Sequence, residues 1–199
     1  MENKREIILP AAVGIVGAVV FLFAFPGLAI PTIMHEILKL PSPGTGFGFI
    51  IGPFIIMCSL VAYGLIKKHG TAVITSTILA IFMPLIIFIF NLQMPKPGKF
   101  GSIEFIIGVI ILGAALELVI YLLREKGISK TIKYIISAVV ADIIFLAYSM
   151  LFIFSQTVPD KYVQLTINKI LIIAGVSAAG AVIIGGLLPL LILKIIKFK

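Results

Sequence analysis

The sequence predicts an all-α, polytopic membrane protein, a single domain that forms a bundle of six transmembrane helices. Of the 199 residues, 61% are hydrophobic and 12% are charged, and the mean hydropathy is +1.25. A soluble domain of this length has about a quarter charged residues, so lipid has to cover most of the surface. The apolar residues also fall into six long runs, each near the ~20 residues that a helix needs to cross the hydrocarbon.

The six predicted spans cover residues 7–25, 47–66, 71–90, 102–123, 131–155 and 165–192. Span one follows a charged start, as a signal peptide does. Its apolar run is longer than a signal-peptide core, however, and five more runs follow, so we expect a retained helix. Span six is long enough to require tilt, and Gly185 and Pro189 leave open whether it is broken.

The connection between spans one and two, residues 26–46, is long and rich in proline and glycine. Its glycine spacing resembles a phosphate-binding loop, but the Lys and Ser/Thr pair of that motif is absent and no strand precedes it. Two interpretations stay open, a lid over a binding site and a plain connector.

Positive charge predicts the orientation of the bundle. With the N-terminus inside, the inner segments hold eleven of the 16 Lys and Arg residues and the outer segments hold five. This asymmetry predicts that both termini lie in the cytoplasm. It also explains the net charge of +8 without nucleic acid as a partner, because the basic residues form short clusters and not a continuous patch.

Two acidic residues, Glu117 in span four and Asp142 in span five, lie within apolar runs. Burying an ionised carboxylate in lipid costs several kcal/mol, so such groups face a protein interior or a water-filled cavity. Glu117 shares a helical face with Gly113, Ala114 and Tyr121, and small neighbours allow close approach of another helix or a ligand.

Asp142 begins a stripe at helical spacing that mixes aromatic and polar side chains. The stripe comprises Phe145, Ser149, Phe152 and Gln156, with Tyr148 a further candidate for stacking. A pocket for a small heteroaromatic molecule needs this mixture of rings and polar atoms. Two alternatives remain for both acids, a structural hydrogen bond between helices and a proton relay.

Further polar residues are predicted near the outer ends of the spans, namely Asn91, Gln93, Glu104, Gln164 and Asn168. Glu104 lies within a turn of the start of span four, where it would attract a cationic ligand. Asn168 shares a face with Gly175 and Ala179. We include Glu104 and Asn168 among the candidate substrate-binding residues, the alternative being solvation at the membrane interface.

Small residues recur at helix-packing spacing in span one, where Ala11, Gly14 and Ala18 lie on one face. Such a face allows close approach of another helix in lipid. It predicts either packing within the chain or docking of a partner protein.

The sequence carries no signature of catalysis. The two histidines, His35 and His69, fall in predicted loops, and neither a nucleophile motif nor a cluster of metal ligands occurs. We therefore expect no enzyme activity, no metal and no cofactor. Any nucleotide-driven step would need an ATPase on another chain.

Two segments resemble a known family. Lys67-Lys68-His69-Gly70-Thr71-Ala72 is similar to a basic-Lys-Pro-Gly-Ala-Ala turn that opens span three, and Gly113-Ala-Ala-Leu-Glu117-Leu118 is similar to a Gly-x-Gly-Ala-Glu-Leu element, followed by the basic turn at Arg124. With its size and six spans, the chain resembles the substrate-binding (S) components of energy-coupling factor transporters, of the hydroxymethylpyrimidine/thiamine type.

That resemblance implies a vitamin site that opens outward, with Glu117 as the acidic residue of the family's fourth span. It further implies docking to a transmembrane T component with two ABC-type ATPases in a prokaryotic cytoplasmic membrane. The leading hypothesis is thus a capture subunit for thiamine or its pyrimidine precursor. The alternatives are a proton-coupled secondary transporter using Glu117 and Asp142, a membrane assembly protein, and a lipid-modifying enzyme.

Overall fold

The computed structural model of the chain describes residues 2–24, 39–41, 44–91, 102–155 and 165–197. These residues form helices joined by turns, and none of them lies in a strand. Six helices are long and apolar enough to cross a membrane, which confirms the predicted all-α bundle of a multi-pass membrane protein. They are α1 (Glu2–Ala24), α2 (Phe47–Ile66), α3 (Thr71–Ile89), α4 (Ile103–Leu122), α5 (Lys130–Phe154) and α6, which runs without a break through Ile167–Gly180, Ala181–Leu187 and Leu188–Lys197.

Hydroxyl groups fix where three of these helices begin. The Ser102 Oγ accepts the backbone N–H of Phe105 at 3.2 Å at the start of α4, and Ser129 and Thr166 cap α5 and α6 in the same way. A side-chain oxygen at this position satisfies one of the N–H groups that a first helical turn leaves unpaired.

Helix α2 lies at the centre of the bundle and contacts each of the other five helices. Within the bundle, 72% of α2 is buried, compared with 33–39% of the others. The other helices form a layer around it, with α3 between α1 and α4, and α5 between α4 and α6. Any group that α2 helps to enclose is therefore shielded from lipid.

Three of the six helices contain a π-helical stretch, namely Phe47–Ile51 at the start of α2, Ser149–Phe154 at the end of α5 and Ala181–Leu187 in α6. A π stretch bonds each N–H to the carbonyl five residues earlier, so the side chains that follow it change face relative to an α-helix. In α6 the stretch includes Gly185, and helix resumes at Leu188. Span six is thus continuous.

Six alternating crossings by the described helices put the start of α1 and the end of α6 on the same side of the membrane. That this side is the cytoplasm stays a prediction, and we call it the inner side below. Most of the predicted lid lies outside the described residues, as do His35, Gln93, Gln156 and Gln164.

Candidate functional site

Asp142 lies in the middle of α5 and is fully buried. Its Oδ2 accepts a hydrogen bond from the Ser177 hydroxyl of α6. Its Oδ1 lies against Gly52 of α2 and has no hydrogen-bond donor among the described residues. A carboxyl group at the centre of three membrane helices with one oxygen unpaired is costly to maintain, which marks it as a candidate functional group.

Small residues bring the three helices together around this carboxyl group. A Cβ added to Gly52 would collide with Asp142 Oδ1 and lie 3.1 Å from the ring of Phe145. A Cβ on Gly48 would collide with Ser177, and one on Gly180 would lie 2.8 Å from Phe49 Cα. Close approach of helix backbones through glycine is the usual packing mode in lipid, and here it encloses Asp142.

An aromatic cluster adjoins Asp142 on the side of the outer surface. Phe145, one turn after Asp142, stacks on Phe47 of α2, with ring centroids 6.2 Å apart and planes at 23°. Phe47 also meets Phe105 of α4 and Phe154 of α5, at centroid distances of 6.3 Å and 4.9 Å. All four rings are buried. The centre therefore combines a carboxyl group with aromatic faces, as the sequence predicts for Asp142 and Phe145.

The outer half of the predicted stripe needs correction. Ser149 is fully buried, as expected, but the side chain of Phe152 is 49% exposed, whereas that of Phe154 is 3% exposed. The buried positions after Ser149 are Ile153, four residues on, and Phe154, five residues on within the π stretch Ser149–Phe154. Phe154, and not Phe152, therefore contributes the outer ring of the aromatic cluster.

Tyr148, Phe152 and Glu104 form a separate group towards the outer surface. The rings of Tyr148 and Phe152 stack with centroids 4.8 Å apart. Tyr148 lies over Gly108 of α4, where a Cβ would come within 2.8 Å of its ring. Glu104 lies one turn before Gly108, in the first turn of α4. Tyr148 and Glu104 are half-buried and Phe152 is exposed.

Glu117 lies at the inner end of the bundle. Its Oε2 accepts the backbone N–H of Gly70 at 2.7 Å, and its Oε1 accepts that of Ala72 at 2.6 Å. These donors begin α3, where Gly70 occupies the N-cap position with φ +83° and supplies no side-chain cap of its own. Glu117 therefore caps α3 from the neighbouring helix, combining an N-cap bond with a favourable charge at the helix N-terminus.

Gly113 explains how Glu117 reaches this turn. A Cβ on Gly113 would lie 3.1 Å from Val73 Cα and 3.2 Å from the Ala72 carbonyl oxygen, so its absence lets α4 approach the start of α3. Counting residues from the inner ends of α4 and α5, Glu117 and Asp142 differ by about 10 Å along the bundle axis. The two acids therefore occupy different sites.

The remaining predicted residues lie on the outside of this centre or away from it. Asn168, Gly175 and Ala179 are on the exposed side of α6, opposite Ser177. Gly14 and Ala18 are buried, Gly14 against the backbone of Thr75 in α3, and Ala11 is partly buried. A partner that docked on this small-residue face would have to displace α3.

The residues that sequence reasoning missed are Ser177, Phe47, Phe154 and the glycines of α2. Ser177 offered a signal, because it is the one polar residue in the small-residue run from Gly175 to Gly180. Phe47 gave a weaker sequence signal, because no sequence pattern indicates that the start of span two contacts span five.

Fold and site together define a polytopic α-helical membrane protein with a carboxyl group enclosed at the meeting point of α2, α5 and α6. Beyond that class, no family model matches the chain, and neither the curated proteins nor the solved structures contain a match.

Proposed function

We propose that this chain is the substrate-capture subunit of an importer of the energy-coupling factor type, and that its ligand is thiamine or the pyrimidine precursor of thiamine. The observation that carries the proposal is Asp142. Its Oδ1 has no donor among the described residues, and the stacked rings of Phe145 and Phe47 lie one turn away. An aminopyrimidine supplies the matching chemistry, because its amino group donates a hydrogen bond and its flat ring stacks on aromatic side chains.

In this proposal Asp142 accepts the amino group of the ligand while Ser177 holds the other carboxyl oxygen. The ring of the ligand stacks against Phe145, which requires the phenylalanine cluster to part. Ser149 has no hydrogen-bond partner among the described residues and lies two turns from Asp142 on the outer side, so it is available to bond the far end of the ligand. Tyr148 and Glu104 line the approach.

The turn at Gly70 supports the family assignment in a different way. The two segments on which the sequence resemblance rests are about 40 residues apart in the chain, yet Glu117 joins them by accepting hydrogen bonds from the N–H groups of Gly70 and Ala72. One structural unit therefore accounts for both segments. Because both oxygens of Glu117 accept backbone bonds, the proposal assigns the ligand to Asp142 and gives Glu117 a structural role.

Uphill import needs an energy source, since ligand binding alone sustains no net flux. The proposal therefore includes a transmembrane T component and two ABC-type ATPases in a prokaryotic cytoplasmic membrane. The test is uptake of labelled hydroxymethylpyrimidine into proteoliposomes that hold this chain alone or with those partners and ATP. Accumulation only with the partners is expected. Equal accumulation by the chain alone would overturn the proposal.

A second candidate is a proton-coupled carrier that uses Asp142 by itself. A carboxyl group with an unpaired oxygen in the middle of a bundle is the usual element of a proton relay. A protonophore would abolish uptake by such a carrier, whereas ATP depletion at a maintained proton gradient would not. The importer predicts the opposite pattern.

A further inference from the structure

A cleft of about 310 Å³ opens at the inner end of the bundle, far from Asp142. Its lining residues come from the inner ends of α2, α4 and α5. They are Tyr63, Lys67, Ile120, Arg124, Lys130, Lys133 and Tyr134. A second cleft of about 420 Å³ shares Tyr63, Lys67 and Arg124 with it and extends the groove towards α1.

The first cleft is strongly cationic over an apolar floor. Its described lining contains four basic side chains and no carboxylate, while Ile120 and Tyr134 at its base are 7% and 4% exposed. Glu117 is not among the lining residues, and its carboxylate accepts the backbone N–H groups of Gly70 and Ala72. The adjoining cleft includes Glu6, whose carboxylate pairs with Lys68. An anion bound in the first cleft would therefore meet the four basic side chains that line it.

Two of these cations occupy positions that helix electrostatics disfavours. Lys130 and Lys133 lie in the first turn of α5, where the helix dipole is positive and acidic residues are preferred. Lys130 lies over the ring of Tyr134 at 5.1 Å, and the Lys133 ammonium donates to the Arg124 carbonyl at 2.9 Å, so both side chains are held towards the cleft residues. An anion bound there would gain from the two cations and from the dipole.

Lys67 adds a backbone observation. It ends α2 in the left-handed conformation, with φ 59° and ψ 31°. Glycine is the usual residue at such a helix end, and a side chain there costs roughly 1 kcal/mol. Membrane orientation requires positive charge at this end of the bundle, but it requires neither a cleft nor a lysine at a strained position.

We propose that this cleft binds the phosphate headgroup of an anionic phospholipid of the inner leaflet. Phosphate is the anion that a combination of arginine and lysines recognises best. The cleft lies at the level where the spans end, and tyrosines at that level are typical of the headgroup region. Exposed apolar side chains on the same helices, Leu122 and Ile132, offer a surface for acyl chains. This inference does not rest on the proposed function.

The test is lipid binding by the full chain, measured by native mass spectrometry and by thermal stabilisation in detergent. The probes are short-chain phosphatidylglycerol, short-chain phosphatidylcholine and inorganic phosphate. The variants are Lys67→Gly, which suits the backbone conformation at that position, and Arg124→Gln. Lys126→Ala is the matched control, because Lys126 is an exposed cation in the same connection that does not line the cleft.

Wild-type chain is expected to retain phosphatidylglycerol in preference to phosphatidylcholine. Each of the two cleft variants should weaken that binding about fivefold, while Lys126→Ala leaves it unchanged. Equal weakening by all three variants would show a diffuse charge effect and overturn the proposal. Binding of inorganic phosphate as tight as that of phosphatidylglycerol would also overturn it, since the site would then recognise a free phosphate and not a lipid.

Discussion

Substitution of Glu117 tests whether this carboxylate stabilises the fold or binds the ligand. In the structure it caps α3 through two backbone hydrogen bonds, from Gly70 and Ala72. Substitution by alanine leaves both N–H groups without that acceptor at a helix start that has no cap of its own. Substitution by glutamine keeps one oxygen acceptor and removes the charge.

The expected loss of stability follows from these two bonds. Replacing an N-cap by alanine costs about 0.5–2 kcal/mol, and a hydrogen bond to a charged group contributes about 1.5–3 kcal/mol. Glu117 is only partly buried, so water satisfies part of what is lost. We therefore expect Glu117→Ala to lower the free energy of unfolding by about 2–3 kcal/mol, and Glu117→Gln by about 1 kcal/mol.

Reversible unfolding in mixed detergent micelles measures these differences. Glu125→Ala is the control, because Glu125 is an exposed acid shortly after the same helix and its loss should change stability by less than about 0.5 kcal/mol. Affinity for hydroxymethylpyrimidine should be unchanged in folded Glu117→Gln. The reasoning is refuted if Glu117→Gln is as stable as Glu125→Ala but no longer binds the pyrimidine, since the carboxylate would then serve the ligand and not the helix.

Two further predictions concern packing around Asp142. Gly52→Ala should destabilise the bundle by about 1–3 kcal/mol, because the added Cβ meets Asp142 and the ring of Phe145. The control Gly175→Ala adds a methyl group in open space within a helix and should be neutral or stabilising by up to about 1 kcal/mol. Unfolding curves in which Gly52→Ala is the more stable of the two would contradict the packing. Phe154→Ala should lower stability by about 2 kcal/mol more than Phe152→Ala, because only the first removes a buried ring. Equal losses would contradict the placement of Phe154 in the core.

The spans were predictable because one physical length governs them. The hydrocarbon thickness sets ~20 apolar residues, and span two, predicted at 47–66, is α2 at Phe47–Ile66. In the structure, Ser102 and Ser129 cap the first turns of α4 and α5, within one residue of the predicted starts of spans four and five. The small residue Gly113 also indicated a close helix contact beside Glu117, which the structure confirms.

The composition of the site was predictable only in part. Regular helical spacing correctly places Asp142, Phe145 and Ser149 on the buried side of α5, but the next predicted residue, Phe152, was wrong because Ile153 and Phe154 are buried instead. The π stretch that ends at Phe154 depends on tertiary packing, which apolar periodicity does not encode. The partner of Glu117 was likewise hidden, since a carboxylate in an apolar run gives no sign of a turn 45 residues earlier. Asn168 lies on the exposed side of α6. A polar residue near a helix start does not indicate which side of the helix faces the bundle interior.

The most direct test of the account is the affinity of purified chain for hydroxymethylpyrimidine, compared between wild type and Asp142→Asn by tyrosine fluorescence titration. The substitution keeps the shape of the side chain and leaves an oxygen for Ser177, so the bundle should stay folded. The second oxygen, which accepts the amino group of the ligand, becomes an NH2 donor, and this loss should weaken binding by about 10- to 150-fold, the equivalent of about 1.5–3 kcal/mol. Saturable binding of equal affinity in the folded Asp142→Asn variant would contradict the claim that this buried carboxyl group receives the ligand.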